Sequence, residues 1–334
     1  MPELVNKYKK EYSTLLAMAT IVIWSCNSYP FRTMLHNIGT FSGMGWSYLI
    51  SSIIGYTIHY LQRDTKHTKF NKASAMICAI FVTNMIFSSL MFGTSQVGDV
   101  LLQVTIINFL WVVLMNVFLV TMLKFKIKYK PTFYFGIILS VIGIVVACIG
   151  FNFSNINFTK YVVQYYYSYI FGIISAITWS LYSIFVKKYS EAVEDDHVFI
   201  SMGITGIISL IISVCDPTFN NYGNIEYDFK NVGFFLYETI VVSYLAYYFW
   251  GTGSKNGNIK IISNFSLLAP VLSTTFTSLF YGLNLIGNVI YGSIILVVAI
   301  VCCKYSIEEH AAEENIEIVE INENEEHINV ADMV

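Results

Sequence analysis

The chain has 334 residues, of which 55% are hydrophobic and 12% charged. A water-soluble domain carries about 25% charged residues, so this composition excludes an ordinary soluble enzyme and points to lipid. The net charge of −3 says little about partners, because the acidic residues gather at one end: from Glu308 onward there are ten Asp and Glu and no Lys or Arg.

The apolar residues come in blocks close to the roughly 20 residues a helix needs to cross a bilayer. They are solidly apolar rather than alternating, as strands of a membrane barrel would be. Lipid also offers backbone groups no partner outside a helix. In chain order, membrane helices are predicted at about 13–33, 41–62, 74–93, 99–123, 131–150, 167–187, 197–215, 232–252, 261–282 and 286–303, with short connections. The first contains Trp24, Asn27 and Arg32. It has the length of a full span rather than the short apolar core of a cleavable signal. The fourth carries Asn108 and Trp111, and the sixth carries Trp179 and Tyr182. The eighth holds Glu238, Tyr247 and Trp250, and the ninth Ser266 and Pro270. Asp99 and Asp216 stand at helix ends, where solvation or capping accounts for them. The six cysteines show neither zinc-ligand spacing nor a disulfide framework, and read as small apolar residues. After about residue 307 the chain becomes acidic and poor in aromatics, the composition of a disordered tail.

Positive charge orients this map. With the N-terminus in the cytoplasm, sixteen of the 19 Lys and Arg fall on the cytoplasmic side. Only Arg32, Lys160 and Lys230 fall at the outer side. Losing or gaining one helix would scramble that alternation, so ten helices with both termini cytoplasmic are expected. The chain also repeats itself. Ile-Thr-Trp-Ser at 177–180 echoes Val-Ile-Trp-Ser at 22–25, and Gly251-Thr252 echoes Gly93-Thr94. Residues 266–272 echo 108–114, and Tyr291-Gly292 echoes Phe135-Gly136. Matches in order at a nearly constant offset predict two related five-helix halves. Five is odd, so the second half inserts inverted, a recurrent transporter design with its site near midplane. The expected organisation is a short cytoplasmic N-terminus (1–12), a first five-helix repeat (13–150), a second (167–303) and an acidic cytoplasmic tail (304–334).

Chemistry leaves little trace. There is no Gly-x-Ser-x-Gly, no phosphate-binding Gly-rich loop with Lys and no His-Glu-x-x-His, so the chain is read as a non-enzyme without cofactor or metal. No Lys or Arg lies in the middle of a helix, where a phosphorylated cargo would need one; a neutral or zwitterionic cargo is expected. Glu238 is the clearest charge within the membrane, where ionisable residues are usually functional. It is a candidate for gating or coupling, with a water-exposed place near the outer mouth as the alternative. Arg32 either snorkels to the outer interface or serves as an outer gate. Asn27 and Asn108 must face a neighbouring helix or a wet cavity. Asn108 has a polar counterpart in Ser266. Pro270 should kink its helix and open a carbonyl to cargo. Trp24, Trp111, Trp179, Tyr182, Tyr247 and Trp250 fall within spans; Trp24 and Trp179 match in the repeat, and Trp179 and Tyr182 share a helix face. Aromatic walls with a few amides suit an amino acid bearing a ring, although each ring alone could equally be packing or lipid-facing.

Several motifs carry a family resemblance: Ile21-Val-Ile-Trp-Ser25 with Arg32, Phe81-Val82 leading to Gly93, Asn108-Phe-Leu-Trp111, Trp179-x-x-Tyr182 with Lys188-Tyr189, Ala246-Tyr247-x-x-Trp250, and Ser266-x-x-x-Pro270-Val-Leu-Ser273. In order and spacing over about residues 13–303, the chain resembles the drug/metabolite transporter superfamily, in its EamA-like branch, and within it the YddG-type aromatic amino-acid exporters. The resemblance implies a basket of two five-helix halves, open alternately to each side, that exports aromatic amino acids and other neutral ones such as methionine and threonine. It implies a central cavity at Trp24, Asn108, Trp111, Trp179, Tyr182 and Trp250. The chain departs from the pattern at Val112, where the family has a proline, and at Met85 and Gln103, where it tends to be acidic. The expectation is therefore a monomeric secondary transporter of the inner or plasma membrane, with lipid and a small molecule as partners and no nucleic acid. Its rivals are the same fold carrying another metabolite or a lipophilic drug, a membrane-embedded lipid enzyme, and a non-transporting receptor.

Overall fold

A computed structural model of the chain describes residues 2–62, 71–95, 104–105, 107–149, 158–194, 197–215, 229–281 and 286–307. Asp99, Gln103, Asp216 and the acidic tail from Glu308 lie outside these residues. Among the described residues the chain is nearly all helical, and the isolated β-bridge between Ile127 and Ile307 stands apart. The helices are α1 (Pro2–Ser25), α2 (Ser28–Ile38), α3 (Thr40–Gln62), α4 (Lys72–Thr94), α5 (Leu110–Thr121), α6 (Lys130–Ile149), α7 (Phe158–Lys188), α8 (His197–Cys215), α9 (Phe229–Asn256), α10 (Ile259–Ser266), α11 (Ala269–Tyr281) and α12 (Ile286–Ser306). Among the described residues, α4, α7 from Val163, α8 and α9 are long and apolar enough to cross a membrane. The parts of α5, α6 and α12 at Leu110–Thr121, Lys130–Val146 and Ile290–Ser306 are shorter apolar helices.

Two predicted spans are each split, and a proline stands just after each break. Pro30 has no N–H to donate to Cys26, and its ring would collide with that carbonyl in a continuous helix. The chain tightens first, with Asn27 N–H donating to Trp24 O at 3.0 Å, and restarts with Phe31 N–H on Asn27 O at 2.9 Å. The second break lies between α10 and α11. Leu267 N–H bonds Asn264 O and Leu268 N–H bonds Phe265 O, three residues back. Pro270 then sits in the first turn of α11, where a missing N–H does no harm. It begins a helix rather than kinking the interior of one. By the sequence repeat Leu267 corresponds to Phe109, and the chain tightens there too: Val112 N–H bonds Phe109 O, three residues back, at 3.1 Å. That tight turn forms although Val112 occupies the place matching Pro270.

The most extensive pairings are α6 with α12, α3 with α8, α4 with α7 and α1 with the last part of α9. All four are antiparallel. On α3 and α8, Gly45 meets Leu210, Leu49 meets Gly206 and Gly55 meets Phe199. On α6 and α12, Gly136 meets Cys303 and Gly143 meets Leu296. On α4 and α7, Asn84 Nδ2 donates to Ser175 O at 2.7 Å, and Thr94 and Ser168 share a hydroxyl contact at 2.7 Å. On α1 and α9, Thr20 Oγ1 donates to Ala246 O at 3.0 Å and Ala17 packs on Gly253. Small residues at these crossings let the backbones approach closely, which is how helices associate where burial from water supplies no drive.

The middle of α9, Tyr237–Ala246, is wound as a π-helix. Such winding is rare and concentrates at functional sites. Its wide turns are supported from outside: Ser51 Oγ donates to Thr239 O at 2.6 Å and Thr20 Oγ1 to Ala246 O. In an α-helix, positions 238 and 247 would be about two and a half turns apart, on opposite faces. The looser winding carries both to one face.

Candidate functional site

The breaks and the π-segment converge on an aromatic layer in the middle of the molecule. Trp24 ends α1 just before the chain tightens. It touches Trp179 of α7 and both Tyr247 and Trp250 of α9, each with ring centroids 5.2 Å apart. Trp179 stacks on Tyr182 at 5.2 Å and on Trp250 at 5.8 Å, and Trp111 meets Trp250 edge-on at 5.7 Å. Phe81 of α4 completes the layer, 5.2 Å from Tyr182 and 5.7 Å from Tyr247. Edge and offset contacts of this kind add to the stability that burial gives.

Against this layer lies a cavity of about 170 Å³. A dry cavity of about 150 Å³ takes up benzene, so the space suits a small ring-bearing molecule. The sequence-predicted residues Trp24, Asn27, Asn108, Trp111, Trp179, Glu238 and Tyr247 all line it. Tyr182, Trp250, Ser266, Pro270 and Arg32 are not among its lining residues. Tyr182 is wholly buried behind Trp179, with its hydroxyl 3.1 Å from His197 Nε2. His197 Nδ1 lies 2.6 Å from the carbonyl of Glu194, which can only accept, so the proton sits on Nδ1 and Nε2 takes the tyrosine's hydrogen. Trp250 is equally buried and donates through Nε1 to Ser183 Oγ at 3.0 Å. Ser266 spends its hydroxyl on Ile262 O at 2.8 Å within its own helix. Ala269, beside Pro270, lines the cavity instead. Arg32 lies half-buried on α2.

The sequence reading did not anticipate Phe31, Tyr48, Val242 and Ser273, or Met85 as part of the wall. Tyr48 and Tyr247 both point their hydroxyls at the Met85 thioether, at 3.1 and 3.4 Å. Sulfur of this kind is a weak acceptor. Met85 was visible as a departure from the family pattern; Tyr48 had no distinguishing signal in a helix that also carries Tyr56 and Tyr60.

Glu238 sits inside the π-segment at 2% exposure. Asn27 is its side-chain hydrogen-bond partner. Among the described residues, three buried polar atoms on lining residues have no hydrogen-bond partner: Trp24 Nε1, Asn27 Oδ1 and Glu238 Oε2. Such atoms are uncommon in native interiors and call for an explanation. Asn84, which also lines the cavity, is satisfied by Ser175 and Thr178 and ties α4 to α7. Among the described residues no group of His, Cys, Asp and Glu could hold a metal ion.

Comparison with known proteins agrees with this architecture. Residues 166–304 match the EamA-like transporter family. The match covers the second half of the helical region. With the apolar helices, the match makes this part of the chain similar to multi-pass membrane transporters of the drug/metabolite type. No curated protein matches the chain. A solved structure described only as the crystal structure of a protein is 15% identical, with a TM-score of 0.70, covering 88% of this chain and 97% of that one. At that identity the likeness shows a shared fold.

Proposed function

We propose that the protein is a secondary transporter that exports small neutral amino acids, chiefly the aromatic ones, by alternating access from the central cavity. The observation that carries this reading is the cavity itself: a space sized for one ring, walled by Trp24, Trp111 and Trp179 and edged by polar side chains. A substrate ring stacks on the indoles, as such rings do. Its head group reaches Asn108 and the unpartnered indole N–H of Trp24. Among the described residues the lining includes no Lys, Arg or His, which disfavours a phosphorylated cargo. A lipophilic drug or another metabolite is the second reading, favoured by the share of the wall that is purely apolar.

Ten spans in two inverted halves belong to the same proposal. Exchanging the first five predicted helices for the last five turns the α4–α7 pairing into the α9–α1 pairing. The same exchange leaves α3–α8 and α6–α12 as partners of themselves. Their antiparallel crossings are what inverted halves require, whereas parallel repeats would make them parallel. Both termini face the cytoplasm on the distribution of Lys and Arg. The molecule works as a monomer in the inner or plasma membrane, and rocking of one half against the other moves the cargo without changing it.

Uptake of radiolabelled phenylalanine, tyrosine and tryptophan into proteoliposomes tests the reading, with wild type beside Trp179→Ala and Asn108→Ala. Saturable flux, competed among the three and lost in both variants, is the expected result. Absence of flux for all three with folded protein removes the aromatic cargo.

A further inference from the structure

We propose that Glu238 and Asn27 together bind the ammonium group of the cargo, so that the site selects molecules carrying a protonated amine next to an aromatic body. The inference rests on the cavity being the cargo site. Two unpartnered acceptors, Glu238 Oε2 and Asn27 Oδ1, belong to side chains that touch each other at the cavity wall. A buried carboxylate stays ionised only beside a counter-charge and otherwise takes up a proton, and among the described residues no lining residue is a Lys, Arg or His. A cargo that brings donors and positive charge keeps the carboxylate ionised and satisfies both acceptors. An ammonium group has three donors in a compact point charge, enough for both acceptors at once.

The local fold supports this assignment. The break before Pro30 places Asn27 at the end of a helix rather than in its interior. The π-winding of α9 puts Glu238, Val242 and Tyr247 on one wall. A cation held at Glu238 lies beside the Trp24 and Tyr247 rings, whose faces attract positive charge. Tyr48 and Tyr247 hydrogen-bond each other and the Met85 thioether, a weak acceptor that a carboxylate on the same cargo replaces. A zwitterion thus finds acceptors at one edge and donors at another, and among the described lining residues Glu238 is the one ionisable carboxyl.

The test uses purified full-length protein in nanodiscs and reads tryptophan fluorescence, which reports on Trp24, Trp111 and Trp179 directly. The probes are phenylethylamine, which keeps the ring and the ammonium, and 3-phenylpropionate, which keeps the ring and the carboxylate. Phenylethylamine should bind saturably and at least about tenfold more tightly than 3-phenylpropionate, the value of one charge-assisted hydrogen bond. Glu238→Gln should erase that preference while the ligand-free melting temperature stays in place. Should that variant fail to fold, Asn27→Asp adds a second carboxylate and should strengthen phenylethylamine binding instead. Equal affinity for the two probes in wild type, or an unchanged preference in Glu238→Gln, overturns the proposal. So does a fluorescence response to sodium alone that Glu238→Gln abolishes while phenylethylamine has no effect, since the site would then hold a metal cation. Amine binding without aromatic amino-acid flux sinks the transport reading and leaves this one; flux with no response to Glu238→Gln does the reverse.

Discussion

Trp24 and Trp250 lie 5.2 Å apart, yet their indole N–H groups have opposite fates. Trp250 is fully buried and bonded to Ser183, while Trp24 Nε1 is buried without a partner at the cavity wall. The two therefore respond differently to the same change. Trp250→Phe leaves Ser183 without its donor and opens space in a closed core, which should lower stability by about 1–3 kcal/mol. Trp24→Phe removes no protein hydrogen bond, so it should cost under about 1 kcal/mol while weakening cargo binding. Chemical denaturation in micelles, run beside binding, separates the two effects; equal destabilisation by both would mean that the Trp24 N–H is satisfied within the protein. Tyr182 belongs with Trp250. Its role is to hold Trp179 in place from behind, with its hydroxyl locked on His197.

At the scale of elements, the helix crossings are set by atoms that cannot move. A Cβ added at Gly206 would lie 2.8 Å from Leu49 N and 3.0 Å from Gly45 O, both backbone. Gly206→Ala should therefore destabilise the α3–α8 pair by about 1–3 kcal/mol. Gly233 on α9 has nothing within 4 Å of such a Cβ, and Gly233→Ala should be neutral or stabilising by up to about 1 kcal/mol, since alanine is the better helix former. Thermal melts of the two variants side by side check the contrast. The α1–α2 break makes a different kind of prediction. Pro30→Ala restores the N–H that a continuous helix would give to Cys26. The break should close, Asn27 should swing away from Glu238, and transport should fall at least tenfold while the melting temperature holds or rises. A variant with full transport would show that the break is maintained by packing and not by the proline.

For the whole molecule, the pairing of α4 with α7 and of α1 with α9 joins the two proposed halves. Neither half closes the cavity alone: Trp24, Asn27 and Asn108 come from the first, and Trp179, Glu238 and Tyr247 from the second. Rocking one half against the other would thus open the site to one side or the other. The proposed orientation rests on the lysines and can be tested directly. Lys7→Cys and Lys126→Cys should react with an impermeant maleimide only from the cytoplasmic face, and Lys230→Cys only from outside. Labelling of Lys7→Cys and Lys230→Cys from the same face would remove the orientation and the helix count with it.

The helical membrane character, the positions of the apolar segments and the cluster of mid-span aromatics were legible in the amino-acid sequence. Each rests on local quantities, a run of apolar side chains or a lysine near a helix end, and lipid leaves the backbone one solution within each run. Proline's effect is also local, yet the first predicted helix, 13–33, runs straight through Pro30, and a proline break is expected only at Pro270. What only the tertiary structure decided is which of those aromatics face open space. Trp179 and Tyr182 share a helix face, and so do Tyr247 and Trp250, yet one of each pair lines the cavity and the other stands behind it. Depth along a face depends on what neighbouring helices bring, here Phe81 and His197 from α4 and α8. The meeting of Glu238 with Asn27 and Tyr247 was decided in the same way. At α-helical periodicity Glu238 and Tyr247 point apart, and they share a wall because hydroxyls from α1 and α3 hold the carbonyls of a π-turn whose winding no local pattern announces.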